Sequence, residues 1–267
     1  MLKCPELESF VVKDMYHSNG IEFITLNGGL SLRPISKFES VLADNLLVLT
    51  QICKDSEEYY PGVQMSCLGP DLLTLLQGNS KLLKVKVCNL IGQMCKHSDF
   101  FYAELKEANI FPEMIKFCSD SDTVVKKASS FAIGNAAYYS SFLYPTLAPA
   151  IKPIVLLLKD ADERIKTNSI GTLSNLTRNS DCLVSEIIDN KIPLIFVNLL
   201  LYDNSFIVKK LILLAFKNFF KHSLILKNIK KVFDEKKKKD FKNLLDKKEF
   251  AGLLRYLNAV RKHVGIK

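Results

Sequence analysis

Residues 129–201 read SSFAIGNAAYYSSFLYPTLAPAIKPIVLLLKDADERIKTNSIGTLSNLTRNSDCLVSEIIDNKIPLIFVNLLL. This stretch contains one pattern twice: a helix that ends in an amide, a short break, and a second apolar helix that is entered through proline. Asn135 and Asn175 mark the two copies of the first helix, and Pro153 and Pro193 mark the second, each pair 40 residues apart. Self-similarity at this period is typical of a helical solenoid.

The amide recurs along the chain in steps of 42, 42, 40 and 43 residues, at Gln51, Gln93, Asn135, Asn175 and Asn218. Apolar residues lie two positions before and one position after every amide, where about 100° per residue turns them away from the amide and predicts a core seam. Prolines that can open a second helix follow after 18 or 19 residues, at Pro70, Pro112, Pro153 and Pro193. The sequence therefore predicts an all-α, armadillo/HEAT-like right-handed superhelical solenoid of about five repeats.

The domain organisation follows from this register. We expect one continuous solenoid domain, with a cap or partial repeat at 1–37, armadillo-like repeats at 38–226, a Lys-rich insertion or long helix at 227–249 and a capping helix at 250–267. The capping helix is expected to present one apolar stripe, formed by Phe250, Leu253, Leu254, Leu257, Val260 and Val264. Polar breaks at 121–122, 160–162 and 203–205 precede helices and can supply N-cap oxygens.

Charge is distributed unevenly along the 267 residues. Residues 1–203 contain 19 lysines and arginines against 23 acids, whereas residues 204–267 contain 18 against 5. The seven cysteines show no C-x-x-C spacing, which is typical of reduced thiols in an intracellular protein. Neither a signal peptide nor an apolar run long enough to cross a bilayer is visible. We expect a soluble, cytoplasmic protein.

The helix that carries each amide is expected to line an inner, concave wall. Positions seven and four before the amide and three after it share the face of the amide. Carboxamides can bond the backbone of an extended ligand, and cations three residues later can select acidic or phosphorylated side chains. The predicted peptide-binding groove consists of Gln51, Lys54, Lys86, Asn89, Gln93, Lys96, Phe131, Asn135, Tyr138, Arg164, Asn168, Asn175, Arg178, Asn218 and Lys221.

Alternatives remain open for these side chains. The amides can instead bond to the backbones of neighbouring helices, and the cations can be solvated on an exposed face. A second series of lysines lies nine residues before four of the amides, half a turn out of phase. We expect a solvated edge for this second series, which comprises Lys84, Lys126, Lys166 and Lys209.

The lysine run at 236–239 has three interpretations: a solvated insertion, a contact with an anionic surface or nucleic acid, and a nuclear import signal. Acids at 234, 235 and 240 dilute it, and few aromatic residues are interleaved as stacking platforms. Nucleic-acid binding is therefore not favoured.

Catalytic motifs do not emerge from the sequence. The four histidines are isolated, and no phosphate-binding loop, kinase catalytic loop or nucleophile with a neighbouring base occurs. We expect no enzyme activity, no cofactor and no metal site in this chain.

Two runs carry a resemblance to a known family. FAIGNAAYYSSFLY is followed by PIVLLL and then by KTNSIGTLSNLTRNS, which ends at residue 180, and the specific match covers residues 130–179. These runs resemble the C-terminal armadillo region of the Fused family of serine/threonine kinases, which has G-N-A-A-Y and A-L-S-N-L-V-R-N-S at comparable separation. Agreement is weaker over about 85–264, and Tyr139 stands where that family usually has histidine.

The resemblance implies the non-catalytic regulatory or scaffolding region of such a kinase or pseudokinase, or a free-standing relative, with any kinase activity in an upstream domain that this chain lacks. It also implies a kinesin-like or other cytoskeletal or ciliary partner. We hypothesise a non-catalytic scaffold that binds an extended protein segment in its concave groove. The alternatives are a generic armadillo/HEAT adaptor unrelated to a kinase, and a basic tail that docks on a membrane or on nucleic acid.

Overall fold

The computed structural model of the protein describes residues 39–64, 68–245 and 247–266. Within these ranges the chain forms helices joined by short turns, and no strand occurs among them. The chain divides into two compact units, residues 1–139 and residues 140–267. The cap predicted at 1–37 and the thiols of Cys4 and Cys67 lie outside the described residues.

The described part of the first unit is built from α-helices of alternating length. They are α1 (Glu39–Asp55), α2 (Tyr60–Gln64), α3 (Gly69–Gln77), α4 (Lys81–Met94), α5 (Tyr102–Glu107), α6 (Ile110–Phe117) and α7 (Thr123–Ala136). The long helices α1, α4 and α7 carry the amides, and α4 packs against both of the others. The shorter helices pack behind them, with α3 against α4 and α6 against α7.

The second unit repeats this plan and then departs from it. Its helices are α8 (Tyr144–Leu147), α9 (Ile151–Leu157), α10 (Glu163–Asn175), α11 (Val184–Asp189), α12 (Ile192–Tyr202), α13 (Phe206–Phe219), α14 (Ser223–Val232), α15 (Glu235–Leu245) and α16 (Leu254–Val264). The amide helices α10 and α13 pack together, α9 packs on α10, and α12 packs on α13.

Side chains from the polar breaks cap the amide helices, as predicted. Asp122 Oδ1 accepts the N–H groups of Val124 and Val125 at the start of α7, at 2.8 and 3.2 Å. Asp162 and Ser205 cap α10 and α13 in the same way. Each cap satisfies N–H groups that have no partner within the first helical turn, so it fixes where the amide helix begins.

The prolines lie in first helical turns, where a missing N–H has no cost. Pro70 and Pro193 are the second residues of α3 and α12, and Pro112 and Pro153 are the third residues of α6 and α9. This confirms the prediction that each of these prolines opens the second helix of a repeat.

The predicted core seam is buried in four of the five amide helices. Ile91 and Met94, Ile133 and Ala136, Leu173 and Leu176, and Phe216 and Phe219 are all at most 1 % exposed. On α1, Leu49 and Ile52 are only half-buried. Burial of an apolar side chain stabilises a fold by about 1.5–3 kcal/mol, so this seam accounts for the regular packing of α4, α7, α10 and α13.

The C-terminal region is helical through most of the Lys-rich segment. α14 and α15 both pack on α12, and α16 packs on α13 and α14. The apolar stripe predicted for the last helix is buried at Phe250, Leu253, Leu257, Val260 and Val264. The prediction was wrong for Leu254, which is 41 % exposed, because the α-helix begins at this residue and the preceding residues form a 3-10 helix with a different angular spacing.

Candidate functional site

The predicted groove residues lie on the amide helices and in the turns that follow them. In the first unit, α1 carries Gln51 and Lys54, α4 carries Lys86, Asn89 and Gln93 and is followed by Lys96, and α7 carries Phe131 and Asn135 and is followed by Tyr138. In the second unit, α10 carries Arg164, Asn168 and Asn175 and is followed by Arg178, and α13 carries Asn218 and is followed by Lys221. We call these two sets the first and second amide faces.

On the first amide face, α4 and α7 approach closely at a glycine. The Asn135 carboxamide donates through Nδ2 to the Gly92 carbonyl oxygen at 2.7 Å. A Cβ atom at Gly92 would lie 2.4 Å from Cε1 of Phe131, which is closer than packed atoms allow. The Phe131 ring therefore packs directly against Gly92, where there is no room for a side chain. The Asn135 hydrogen bond joins α7 to α4 at the same glycine.

The remaining amides on this face make different contacts. Gln51 donates through Nε2 to Asp55 Oδ1 at 2.7 Å, within its own helix. The Oε1 atom of Gln93 is buried and has no hydrogen-bond partner among the described residues. The amides thus recur at equivalent positions of the repeat but do not all make the same hydrogen bond.

The second amide face shows the helix-to-helix contact again. Asn218 donates through Nδ2 to Ser174 Oγ at 3.0 Å and to the Ser174 carbonyl at 3.2 Å. For Asn135 and Asn218, the alternative in which an amide bonds to a neighbouring helix is therefore realised. A carboxamide has a second N–H and an oxygen acceptor, so this contact orients the group without using all of its bonding capacity.

The cations that follow the amides reach across to the preceding amide helix. Lys96 Nζ donates to the Lys54 carbonyl at 3.1 Å, and Lys221 Nζ donates to the Arg178 carbonyl at 3.2 Å. These carbonyls lie at or just beyond helix C-termini, where positive charge is favoured by the helix dipole. Each ammonium group has three N–H donors, and both lysines are exposed.

Three buried tyrosines, which the sequence-based prediction does not include, fix the ends of three amide helices. Tyr60, Tyr102 and Tyr144 stand nine residues after an amide and donate their hydroxyls to the carbonyls of Gln93, Asn135 and Asn175. The Tyr102 and Tyr144 hydroxyls also accept the N–H groups of Tyr139 and Asn179, at 3.4 and 3.2 Å. The signal was available in the 42-residue spacing of the three tyrosines.

Each tyrosine hydroxyl thereby satisfies backbone groups that a helix leaves unpaired at its C-terminus. Burial raises the pKa of Tyr60 and of Tyr102 well above the usual range, so both stay neutral and keep the proton that they donate. The turn that carries Lys96, Tyr138 or Arg178 is in this way held in a fixed position on its helix.

The solvated edge predicted for the second lysine series is wrong. Lys209 is only 8 % exposed, and Lys166 donates to Asp203 Oδ2 at 2.8 Å with both side chains largely buried. Lys84 lies over the Phe117 ring with its Nζ 5.2 Å from the ring centroid, and Lys126 is half-buried. The side of the helix half a turn from the amide faces other helices of the same unit, and the long lysine stem buries its methylene groups there.

The described residues also include titratable side chains away from the amide faces. They contain no group of three or more His, Cys, Asp and Glu side chains that could hold a metal ion. Burial raises the pKa of the Cys118 thiol to about 11 and that of Cys53 to about 12, which suppresses thiolate chemistry at both. No helix in the described part of the chain is long and apolar enough to cross a membrane.

Residues 148–178 match the Armadillo/beta-catenin-like repeat family. The matched region begins just before α9, includes α10 and ends at Arg178, so it contains a complete helix pair with its proline, amide and cation marks. No match was found among curated proteins.

Solved structures resemble the chain over most of its length. A designed armadillo repeat protein, YIII(Dq)4CqI, matches with a TM-score of 0.74 at 20% identity, over 85% of this chain and 94% of that one. A second designed armadillo repeat protein, solved in complex with the peptide (KR)4, matches with a TM-score of 0.75 at 19% identity, over 83% of this chain and 92% of that one. An engineered protein matches with a TM-score of 0.77 at 15% identity, over 97% of this chain and 96% of that one. Such likeness shows the fold, which is all-helical and of the armadillo repeat type.

Proposed function

We propose that this armadillo-type chain is a non-catalytic scaffold that binds an extended, acidic protein segment on its amide faces. The observation that carries the proposal is that exposed or half-exposed cations follow the amides in each unit, at Lys54 and Lys96 in the first and at Arg178 and Lys221 in the second. Support from the comparisons is that one structural neighbour was solved with a peptide.

The chemistry of the faces determines the kind of ligand. Amide groups can bond the N–H and C=O groups of an extended backbone, whereas ammonium and guanidinium groups attract carboxylates and phosphates. On the second amide face Arg178 and Lys221 lie in the turns that follow two adjacent helices, and Lys221 Nζ contacts the Arg178 carbonyl. Two adjacent cations favour an acidic ligand and disfavour a peptide of lysine and arginine such as (KR)4, because like charges brought together cost energy.

Pre-organisation supports the same function. Tyr60 and Tyr144 fix the turns that carry Lys96 and Arg178. Asn135 and Asn218 are oriented by their helix-to-helix bonds. A rigid face loses little conformational entropy when it binds, so more of the interaction energy appears as affinity.

The proposal is tested on the second face with a labelled (Glu-Asp)4 peptide and with (Lys-Arg)4. We expect the wild-type chain to prefer the acidic peptide, and Asn175→Ala combined with Arg178→Glu to weaken that binding about tenfold or more, since interactions of about 1 kcal/mol each are lost. Lys159→Glu, which changes the net charge equally at an exposed site away from the face, is the control. Equal binding by all three proteins, with helicity intact by circular dichroism, would rule out this face.

We further propose that the chain is the regulatory C-terminal region of a Fused-like serine/threonine kinase, with a kinesin-like or other cytoskeletal or ciliary partner. The support is the resemblance over residues 130–179, which includes the second half of α7 and all of α10. Mass-spectrometric mapping of the endogenous polypeptide would test this, and a product that contains no kinase domain would contradict it. Binding of a purified kinesin-like motor that is lost in the Asn175→Ala, Arg178→Glu variant would support the partner.

A further inference from the structure

The segment at 223–249 carries an unusual charge composition. It contains ten lysines, no arginine and five acids. Six of these lysines have exposed side chains on α14 and α15, and we call them the basic ridge: Lys227, Lys230, Lys231, Lys236, Lys239 and Lys242. The ridge is therefore a surface of positive charge.

Three of the five acids in this segment bond to partners within it or on α12. Asp234 accepts from Lys237 Nζ at 2.6 Å, and Glu235 accepts from Lys238 Nζ at 2.7 Å. Asp240 accepts the hydroxyl of Tyr202 at 2.7 Å. These contacts pair two acids with lysines outside the ridge, so the positive charge of the ridge itself is not diluted by them.

The ridge belongs to a folded surface. α14 buries Ile225 and Ile229, and α15 buries Phe241 and Leu244. Both helices pack on α12, and the bond between Tyr202 and Asp240 joins α15 to the end of α12. The lysines therefore stand on two helices with a fixed apolar underside.

An apolar side chain lies among these cations. Leu224 is 59 % exposed at the start of α14. Lys227 and Lys231 follow it by three and seven residues, which places all three on one side of the helix, away from Ile225 and Ile229. A large exposed leucine beside lysines is the pattern of helices that rest on a membrane surface, with the leucine entering the boundary of the acyl chains and the lysines at the headgroups.

We propose that the basic ridge and Leu224 form a peripheral docking surface for an anionic lipid bilayer. A cluster of lysines attracts anionic headgroups by charge density, and each lysine near the surface contributes about 1 kcal/mol. Single-stranded nucleic acid would need aromatic stacking platforms, whereas Phe233 and Phe241 are buried. The absence of arginine from 223–249 removes the planar fork that best recognises phosphate pairs and guanine, and an exposed leucine gains nothing from a phosphate backbone.

The test is flotation of the full chain with vesicles of phosphatidylcholine alone and of phosphatidylcholine with phosphatidylserine. We expect binding only to the anionic vesicles, weakened by added salt. Lys227→Gln with Lys231→Gln should reduce the partition coefficient about 30-fold, from two lysines at about 1 kcal/mol each. Leu224→Ser should reduce it about tenfold on the same vesicles, since an apolar contact is lost.

Lys152→Gln with Lys159→Gln, an equal charge change at exposed sites on and after α9, is the matched control and should bind as the wild type does. The proposal fails if the wild type does not float with anionic vesicles, or if the control and the ridge variant lose binding equally. It also fails if Leu224→Ser binds as the wild type while a 30-base-pair DNA duplex or (Glu-Asp)4 competes the chain off the vesicles, because the ridge would then bind nucleic acid or an acidic protein segment. Because none of these residues lies on an amide face, the outcome is independent of the peptide-binding test.

Discussion

The C-terminal ends of α10 and α13 are equivalent in the repeat but are held in different ways. At the end of α10, Tyr144 donates to the Asn175 carbonyl and accepts the N–H of Asn179 at 3.2 Å. Nine residues after Asn175 the tyrosine is replaced by Val184. At the end of α13 the corresponding N–H, that of His222, instead donates to the Phe219 carbonyl at 3.1 Å.

Aromatic packing takes the place of the tyrosine at the end of α13. The Phe220 ring stacks on Phe216 with centroids 5.5 Å apart and contacts the His263 ring of α16 at 4.4 Å. His222 Nε2 also bonds the Thr177 carbonyl at 2.5 Å. One helix end is thus fixed by a buried hydroxyl and the other by rings that join it to the last helix. The repeat conserves the position of the turn, while the interactions that fix it can be exchanged.

The largest effect is expected where the rings replace the hydroxyl. Phe220→Ala should lower the free energy of unfolding by about 3 kcal/mol, because it removes both ring contacts and leaves a cavity between α13 and α16. Urea unfolding followed by circular dichroism measures the loss. Phe142→Ala, at a phenylalanine that is 48 % exposed, should cost less than about 1 kcal/mol. Equal losses in the two variants would show that the ring contacts do not hold the end of α13.

Removal of a single hydroxyl tests the other end. Tyr144→Phe should lower the free energy of unfolding by about 2 kcal/mol, because the Asn175 carbonyl and the Asn179 N–H lose a partner in a buried site. The matched control is Tyr202→Phe, whose hydroxyl bonds Asp240 at an exposed position and which should change stability by less than about 0.5 kcal/mol. Hydrogen exchange at the Asn179 amide should accelerate in the first variant alone. An unchanged exchange rate at Asn179 would show that the Tyr144 hydroxyl does not hold the end of α10.

Two glycines on amide helices extend the comparison to both units. Gly92→Ala should destabilise the chain by about 1.5 kcal/mol, because the new Cβ meets the Phe131 ring. Gly171→Ala should stabilise it by about 0.5–1 kcal/mol, because no atom lies within 4 Å of a Cβ there. Thermal unfolding of the two variants measures the sign of each change in stability. The same sign for both would show that α4 and α7 do not depend on close approach at Gly92.

Acid should weaken the start of α13. Burial raises the pKa of Asp203, but hydrogen bonds from Lys166 and from the Ser205 N–H outweigh burial, so the pKa is lowered. The stability from this carboxylate is therefore complete above its unfolded pKa of about 3.9 and is lost as the pH falls through the lower folded value. Asp203→Asn should remove about 1 kcal/mol at pH 7 and flatten the decline below pH 4, as urea titrations at several pH values would show. The control is Asp189→Asn, which changes a carboxylate at an exposed site. If stability declines below pH 4 as steeply in Asp203→Asn as in the wild type, other groups determine the acid sensitivity.

The sequence predicted the parts of this structure that depend on local periodicity. Asn135 and Asn175 marked helix ends because amide, seam and cap recur in one register along the chain. Asp122 and Asp162 could be recognised as caps because an N-cap bonds N–H groups only two or three residues away.

The remaining features depend on contacts between distant parts of the chain. Tyr102 bonds a carbonyl 33 residues away, and helical periodicity does not specify such a partner. Lys209 is buried and contacts the Leu201 carbonyl of α12, a neighbour that its angle to the amide does not specify. Whether ligands bind at Asn135, Arg178 and the other groove residues stays a prediction, since the helix-to-helix bonds of Asn135 and Asn218 are compatible with either a structural or a binding role.

The most direct test of the central claim, that cations after the amides select an acidic segment, is a reversal of charge on the first amide face. The affinities of (Glu-Asp)4 and (Lys-Arg)4 would be measured by fluorescence anisotropy for the wild type and for Lys54→Glu with Lys96→Glu, at fixed salt. We expect the wild type to bind the acidic peptide more tightly and the variant to have a much smaller or inverted preference. An unchanged ratio of the two affinities in a folded variant would contradict the claim.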